Sequence, residues 1–242
     1  MLISTLYAIN ITEWYLVKEK AIMIYIRCHS VAFLEDATEP RGFLQKMQDV
    51  YGNKSEEYKK IEWAEMLTRE LFSGEKRLTG EPYITHPNSV AMIATKLGGV
   101  RDYRVIIGCI IHDNREYEQE QGIRSMWSPK FVETWFGEYI EWLLASQTMP
   151  QVLGEMTKER AHSTFYNSMR ALCKRRDFFE IKLADRLHNL WTLSSEIMPA
   201  RKIISKIEET REGLLPYAQR HSILVRELHE VLEWLEENNN NK

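Results

Sequence analysis

Apolar residues recur at three- and four-residue spacing through most of the chain, and that period predicts helices. Val90, Ala91, Ile93, Ala94 and Leu97 share one helical face, with Pro87 expected at the first turn and Gly98-Gly99 closing the element. Ile106 to His112 reads as a nearly all-apolar helix, which puts it at the centre of the fold. Val132, Trp135, Phe136, Ile140 and Leu143 form a further stripe, and Phe178, Ile181, Ala184, Leu187 and Leu190 another. Leu224, Leu228, Val231, Leu232 and Leu235 define a last helix. The first fifty residues have a different texture. Ile22 to Ile26 and Val31 to Leu34 are β-branched and aromatic and allow a short hairpin, before Thr38 to Gly42 breaks the chain. The expected architecture is all-α, a helical bundle over residues 56–237. Residues 1–55 form an N-terminal appendage of unassigned role with room for a small β-hairpin, and residues 238–242 a polar tail.

A chain of 242 residues with 44% hydrophobic content can bury one substantial core. Its 32 basic and 35 acidic residues leave a net charge of −3, which argues against a general electrostatic grip on nucleic acid or an anionic membrane. The apolar run from Val105 to Ile111 falls far short of the roughly 18 residues a membrane helix needs. Glu13, Lys18, Glu19 and Lys20 interrupt the N-terminus, which speaks against a secretory signal. Cys28, Cys109 and Cys173 are odd in number and widely spaced, and read as reduced thiols of a cytoplasmic protein.

Four features sit awkwardly in a plain helical protein. His112-Asp113 directly follows the apolar run, where an imidazole and a carboxylate need compensation if they are buried. A metal ion would compensate both, although such a pair at a helix end is more often simply solvated. Asp185, Asn189 and Thr192 lie at i, i+4 and i+7, one narrow polar stripe on an otherwise apolar helix. Spacing alone does not decide between a functional face and a solvent-facing one. His86 precedes Pro87 at an expected rigid corner, a position that capping or packing histidines also occupy. The loop from Arg77 to Tyr83 offers a cation and an aromatic ring, as an ordinary surface loop can.

Taken together, the order His, His-Asp, Asp on separate helices resembles the ligand pattern of the HD phosphohydrolase superfamily. The segments GEPYITHP (80–87), IIHD (110–113) and IKLADRLHNLWTL (181–193) resemble the hydrolase domain of RelA/SpoT-type alarmone enzymes. The resemblance runs from about Tyr58 to Ala218. It implies an HD-type helical bundle, and a stand-alone alarmone hydrolase because no synthetase domain follows. The implied reaction removes the 3′-pyrophosphate from guanosine 3′,5′-bis(diphosphate), so the partner is a small-molecule guanosine nucleotide. Oligomeric state stays open, a homo-oligomer included.

Residue by residue, the resemblance implies that His86, His112, Asp113 and Asp185 bind one divalent ion, typically Mn²⁺. Mixed nitrogen and oxygen donors are also compatible with Zn²⁺ or Fe²⁺. Glu116 matches the first member of the family's Glu-Asp pair and is the expected catalytic carboxylate, but Tyr117 holds the second place. That departure predicts reduced turnover, unless Tyr117 is only a packing aromatic and Glu118 serves instead. Arg77 is expected against the guanine, with Tyr83, Asn189 and Thr192 lining the nucleotide pocket. Leu78 stands where many members have lysine, and Phe72 replaces a family histidine and reads as core packing. Lys174-Arg175-Arg176 reads as a solvated run. Two alternatives remain: an HD enzyme for another nucleotide or phosphoester, and a domain that binds a nucleotide or partner without turnover.

Overall fold

Twelve helices carry these stripes in the computed structural model, which describes residues 40–123, 126–150, 157–193 and 198–240. Among the described residues there is no β-strand, only an isolated bridge between Lys76 and Pro82. The all-α expectation holds; the hairpin expected within residues 22–34 lies outside the described residues. The helices are α1 (Pro40–Tyr51), α2 (Glu56–Leu71), α3 (Thr85–Lys96), α4 (Tyr103–Ile111), α5 (Asn114–Gln121) and α6 (Pro129–Phe136). They continue with α7 (Glu138–Gln147), α8 (Lys158–Ala171), α9 (Arg176–Trp191), α10 (Ala200–Gly213), α11 (Leu215–His221) and α12 (Val225–Asn240).

The most apolar helix is also the central one. Val105 through Ile111 are all buried, and α4 packs against α2, α3, α7 and α9. Its approach to α9 depends on Gly108, where an added Cβ would lie 2.6 Å from Ile181 Cδ1. Asp102 caps the start of α4 by accepting from the Arg104 N–H at 3.0 Å. Phe43 and Met47 of α1 are fully buried in the same core as α4 and α9. No helix among the described residues is long and apolar enough to cross a membrane.

Two local expectations are corrected. α3 begins at Thr85, two residues before Pro87, so His86 lies inside the first turn rather than at a corner before it. Proline is tolerated there because the first turn's N–H groups have no intrahelical partner, and the Thr85 hydroxyl donates to the Pro82 carbonyl at 2.8 Å. The stripe from Val132 to Leu143 belongs to two helices, split at Gly137 with φ +97°, a conformation that favours glycine.

Candidate metal centre

Three parts of the fold converge on one point: the first turn of α3, the α4–α5 junction and the middle of α9. His112 caps the end of α4, and its Nδ1 lies 2.8 Å from the Cys109 carbonyl. A carbonyl can only accept, so Nδ1 donates to it and Nε2 is the nitrogen left to ligate once its own proton is displaced. Asp113 precedes α5 but makes no side-chain cap; its Oδ2 instead accepts from the Tyr83 hydroxyl at 2.8 Å. Asp185 faces the same point from α9, held by Asn189 Nδ2 at 2.6 Å and by Lys182 Nζ at 3.4 Å.

His86 Nε2 lies 3.4 Å from Asp113 Oδ2 and 3.4 Å from Asp185 Oδ1. His112 Nε2 lies 3.1 Å from Asp113 Oδ1 and 3.6 Å from Asp185 Oδ1. All four side chains therefore meet. The His112 Nε2 atom is buried and makes no directed hydrogen bond despite these short distances. An orphaned buried nitrogen facing two carboxylates is what a cation ligand looks like before the cation is counted. The buried group His86, His112 and Asp185 could hold a metal ion, and Asp113 lies within reach of the same point.

The electrostatics keep the two carboxylates charged and make a proton on His112 the competitor of a cation. Burial opposes the imidazolium of His112, but Asp113 and Asp185 outweigh it and raise its pKa to about 9. Burial likewise opposes charge on Asp113, and the neighbouring imidazoles of His112 and His86 hold it below the usual carboxylate range. Asp185 is depressed in the same way, by Lys182 and the two histidines acting against burial. Both carboxylates stay ionised, as ligands must.

Arg77 and Tyr83 sit on a tight loop closed by Arg77 N–H to the Glu81 carbonyl at 3.0 Å and Tyr83 N–H to the Glu75 carbonyl at 3.0 Å. Arg77 donates to Asn189 Oδ1 at 3.1 Å and to Thr192 Oγ1 at 3.2 Å, with its guanidinium 5.9 Å from the Tyr83 ring centroid. The four residues expected to line a nucleotide pocket are thus one connected group, joined to the cluster through Asn189 and Tyr83. The Asp185, Asn189, Thr192 stripe faces this group.

The three positions that follow at 116–118 each have a defined partner. The Glu116 carboxylate accepts from the Met149 backbone N–H, and burial raises its pKa. The Tyr117 hydroxyl donates to Glu75 Oε1 at 3.0 Å, and its ring packs on Phe72. Glu118 is buried and accepts from the N–H groups of Met126 at 2.7 Å and Trp127 at 3.0 Å, so it anchors that loop rather than facing the cluster. Phe72 is buried and stacks on Tyr83, a packing role as its sequence context suggested. Leu78 is 77% exposed. Arg175 pairs with Asp177 and covers Trp142, and Arg176 pairs with Glu180.

Sequence reasoning passed over His188. It is buried, one turn after Asp185 on the same face of α9, and its Nδ1 lies 2.8 Å from Nδ1 of His86. Burial lowers its pKa well below the usual value, and the nearby His86 and Arg77 add to that. The i+3 spacing from Asp185 was the available signal.

Comparison with known proteins agrees with the geometry. Residues 64–219 match the HD domain family. The chain is 32% identical over 163 residues to guanosine-3′,5′-bis(diphosphate) 3′-pyrophosphohydrolase of Haemophilus influenzae, covering 65% of this chain and 22% of that protein. It is 30% identical over 183 residues to the bifunctional (p)ppGpp synthase/hydrolase SpoT of Escherichia coli, covering 75% and 24%. It is 31% identical over 183 residues to the Aquifex aeolicus protein that shares the Haemophilus name, covering 73% and 23%. The chain spans under a quarter of the length of these curated relatives. With its matched region, its helical architecture and its converging histidines and aspartates, the chain belongs to the HD-domain family and is related to RelA/SpoT-type proteins.

Proposed function

We propose that this chain hydrolyses guanosine 3′,5′-bis(diphosphate), releasing pyrophosphate from the 3′ position, with one divalent ion held by His86, His112, Asp113 and Asp185. The observation that carries the proposal is the convergence of two imidazole Nε2 atoms on two ionised carboxylates at 3.1–3.6 Å. The relatives' named activity supplies the substrate class. A divalent ion in such a donor set acidifies water and withdraws charge from a phosphoryl oxygen. The chain's own residues orient the rest. Tyr83 holds Asp113, while Asn189 and Lys182 hold Asp185. Arg77, fixed by Asn189 and Thr192 beside Tyr83, presents a planar cation suited to stacking on a nucleobase. Glu116 lies one turn after Asp113 and is the carboxylate available to accept a proton from the attacking water.

A second reading, a nucleotide-binding domain with little or no turnover, is favoured by Tyr117. Its phenol is tied to Glu75, so Glu116 has no acidic partner at the next position. One experiment separates the two: purified protein incubated with ppGpp and Mn²⁺, the products resolved by anion exchange. GDP and pyrophosphate in equal amounts support the hydrolase. Tight binding with intact ppGpp supports the second reading, and release of orthophosphate points to another phosphoester chemistry.

A further inference from the structure

His188 stands outside the ligand set, yet it makes the shortest contact to His86. The two Nδ1 atoms lie 2.8 Å apart, with ring centroids at 4.9 Å and ring planes tilted by 44°. His86 is 1% exposed and His188 6%, so water does not serve this contact. A hydrogen bond between two ring nitrogens holds one proton, with one ring donating and the other offering a lone pair. Which ring donates is decided on the far side of His86. Its Nε2 faces Asp113 and Asp185, and a nitrogen that ligates a cation must be unprotonated, which leaves the ring proton on Nδ1.

We infer that His188 is a positioning residue: its bare Nδ1 accepts the Nδ1 proton of His86, fixing the tautomer and plane in which His86 Nε2 can ligate. The inference rests on the reading of His86 as a metal ligand. The second imidazole gives an internal comparison, because His112 Nδ1 bonds the Cys109 carbonyl at 2.8 Å and so has an acceptor in the equivalent place. Outer partners of this kind set ligand orientation and basicity in metal sites. Their usual chemistry is a carboxylate, carbonyl or water; here an imidazole does the same work. α9 then contributes twice, supplying Asp185 directly and, one turn later, the group that aims the α3 histidine.

The test uses the full chain and Zn²⁺ as a diamagnetic probe. His188→Asn keeps an acceptor oxygen close to the position of Nδ1, whereas His188→Leu fills similar space with none. Zn²⁺ affinity, measured by competition with a chromophoric chelator, should fall by about 10–100-fold in His188→Leu, and His188→Asn should recover most of that loss. In Zn²⁺-loaded wild type, nitrogen NMR of the histidine rings should find His86 protonated at Nδ1 and His188 protonated at Nε2 only. Wild-type affinity in His188→Leu, equal weakening in both variants, or a His188 ring protonated at Nδ1 would each overturn the inference while leaving the metal-centre reading standing. If His188→Leu does not fold, the wild-type ring spectrum decides the matter. A wild-type protein that binds no Zn²⁺ overturns both.

Discussion

Replacing Glu141 with leucine should cost about 3–5 kcal/mol, the range for removing one partner of a buried ion pair. Arg115 and Glu141 are each 8% exposed. The guanidinium donates to Glu141 Oε1 at 3.0 Å and to Oε2 at 2.5 Å, and its Nε donates to the Trp127 carbonyl at 2.9 Å. Two parallel charge-assisted bonds give a fixed geometry, and they tie α5 to α7. With leucine at position 141 two donors and a full charge stay buried without a partner. For a chain of this size the melting temperature should fall by roughly 6–20 °C. Arg115→Met combined with Glu141→Leu should recover most of the loss, because both polar ends leave together. Urea melts of wild type, both single variants and the double variant form a complete cycle. A Glu141→Leu loss below about 1 kcal/mol, the range of solvated surface pairs, would refute the reasoning. So would a double variant no more stable than the weaker single one.

Four further outcomes follow from the electrostatics and the loop. His112, raised to about 9 by Asp113 and Asp185 against burial, adds stability to the metal-free fold that is full below its usual 6.5 and lost as pH rises through 9. A metal ion must displace that proton. Calorimetry in buffers of different ionisation enthalpy should therefore record close to one proton released near neutral pH, with affinity rising about tenfold per pH unit toward 9. Glu209 is held at about 2 by Arg186, Lys206 and Tyr166 acting against burial. Its contribution is full above the usual 4.5 and lost as pH falls from there to about 2, so the melting difference between wild type and Glu209→Gln should vanish across that window. Arg77→Ala should raise KM for ppGpp about 10-fold or more, in line with loss of a charged contact worth ~1.5–3 kcal/mol, without changing metal content by elemental analysis. Tyr117→Phe should leave kcat unchanged in steady-state assays, since its hydroxyl bonds Glu75 rather than the cluster.

Much of the fold was legible because burial imposes a period. The apolar run Val105–Ile111 became the central helix, and the pair that follows it, His112-Asp113, became part of the cluster because α4 ends there. The stripe Asp185, Asn189, Thr192 was equally visible, since a helix keeps i, i+4 and i+7 on one side. What spacing cannot convey is pairing across the fold. His86 and His188 are 102 residues apart in sequence, and Arg77 and Asn189 are 112 apart; the contacts exist only once α9 packs against α3 and the loop that precedes it. Glu116 shows the same limit: its place one turn after Asp113 is local, but its bond from the Met149 N–H, 33 residues downstream, is not. Gly137 interrupts a stripe without disturbing its period, so a break between two helices was read through.

The central claim is that His86, His112, Asp113 and Asp185 form one metal centre. Equilibrium dialysis of the chelator-treated full chain against Mn²⁺, followed by elemental analysis, tests it without assuming any substrate. One ion per chain in wild type, with loss of that ion in Asp185→Ala, is the predicted result. No bound ion in wild type, or full occupancy retained in Asp185→Ala, would contradict it.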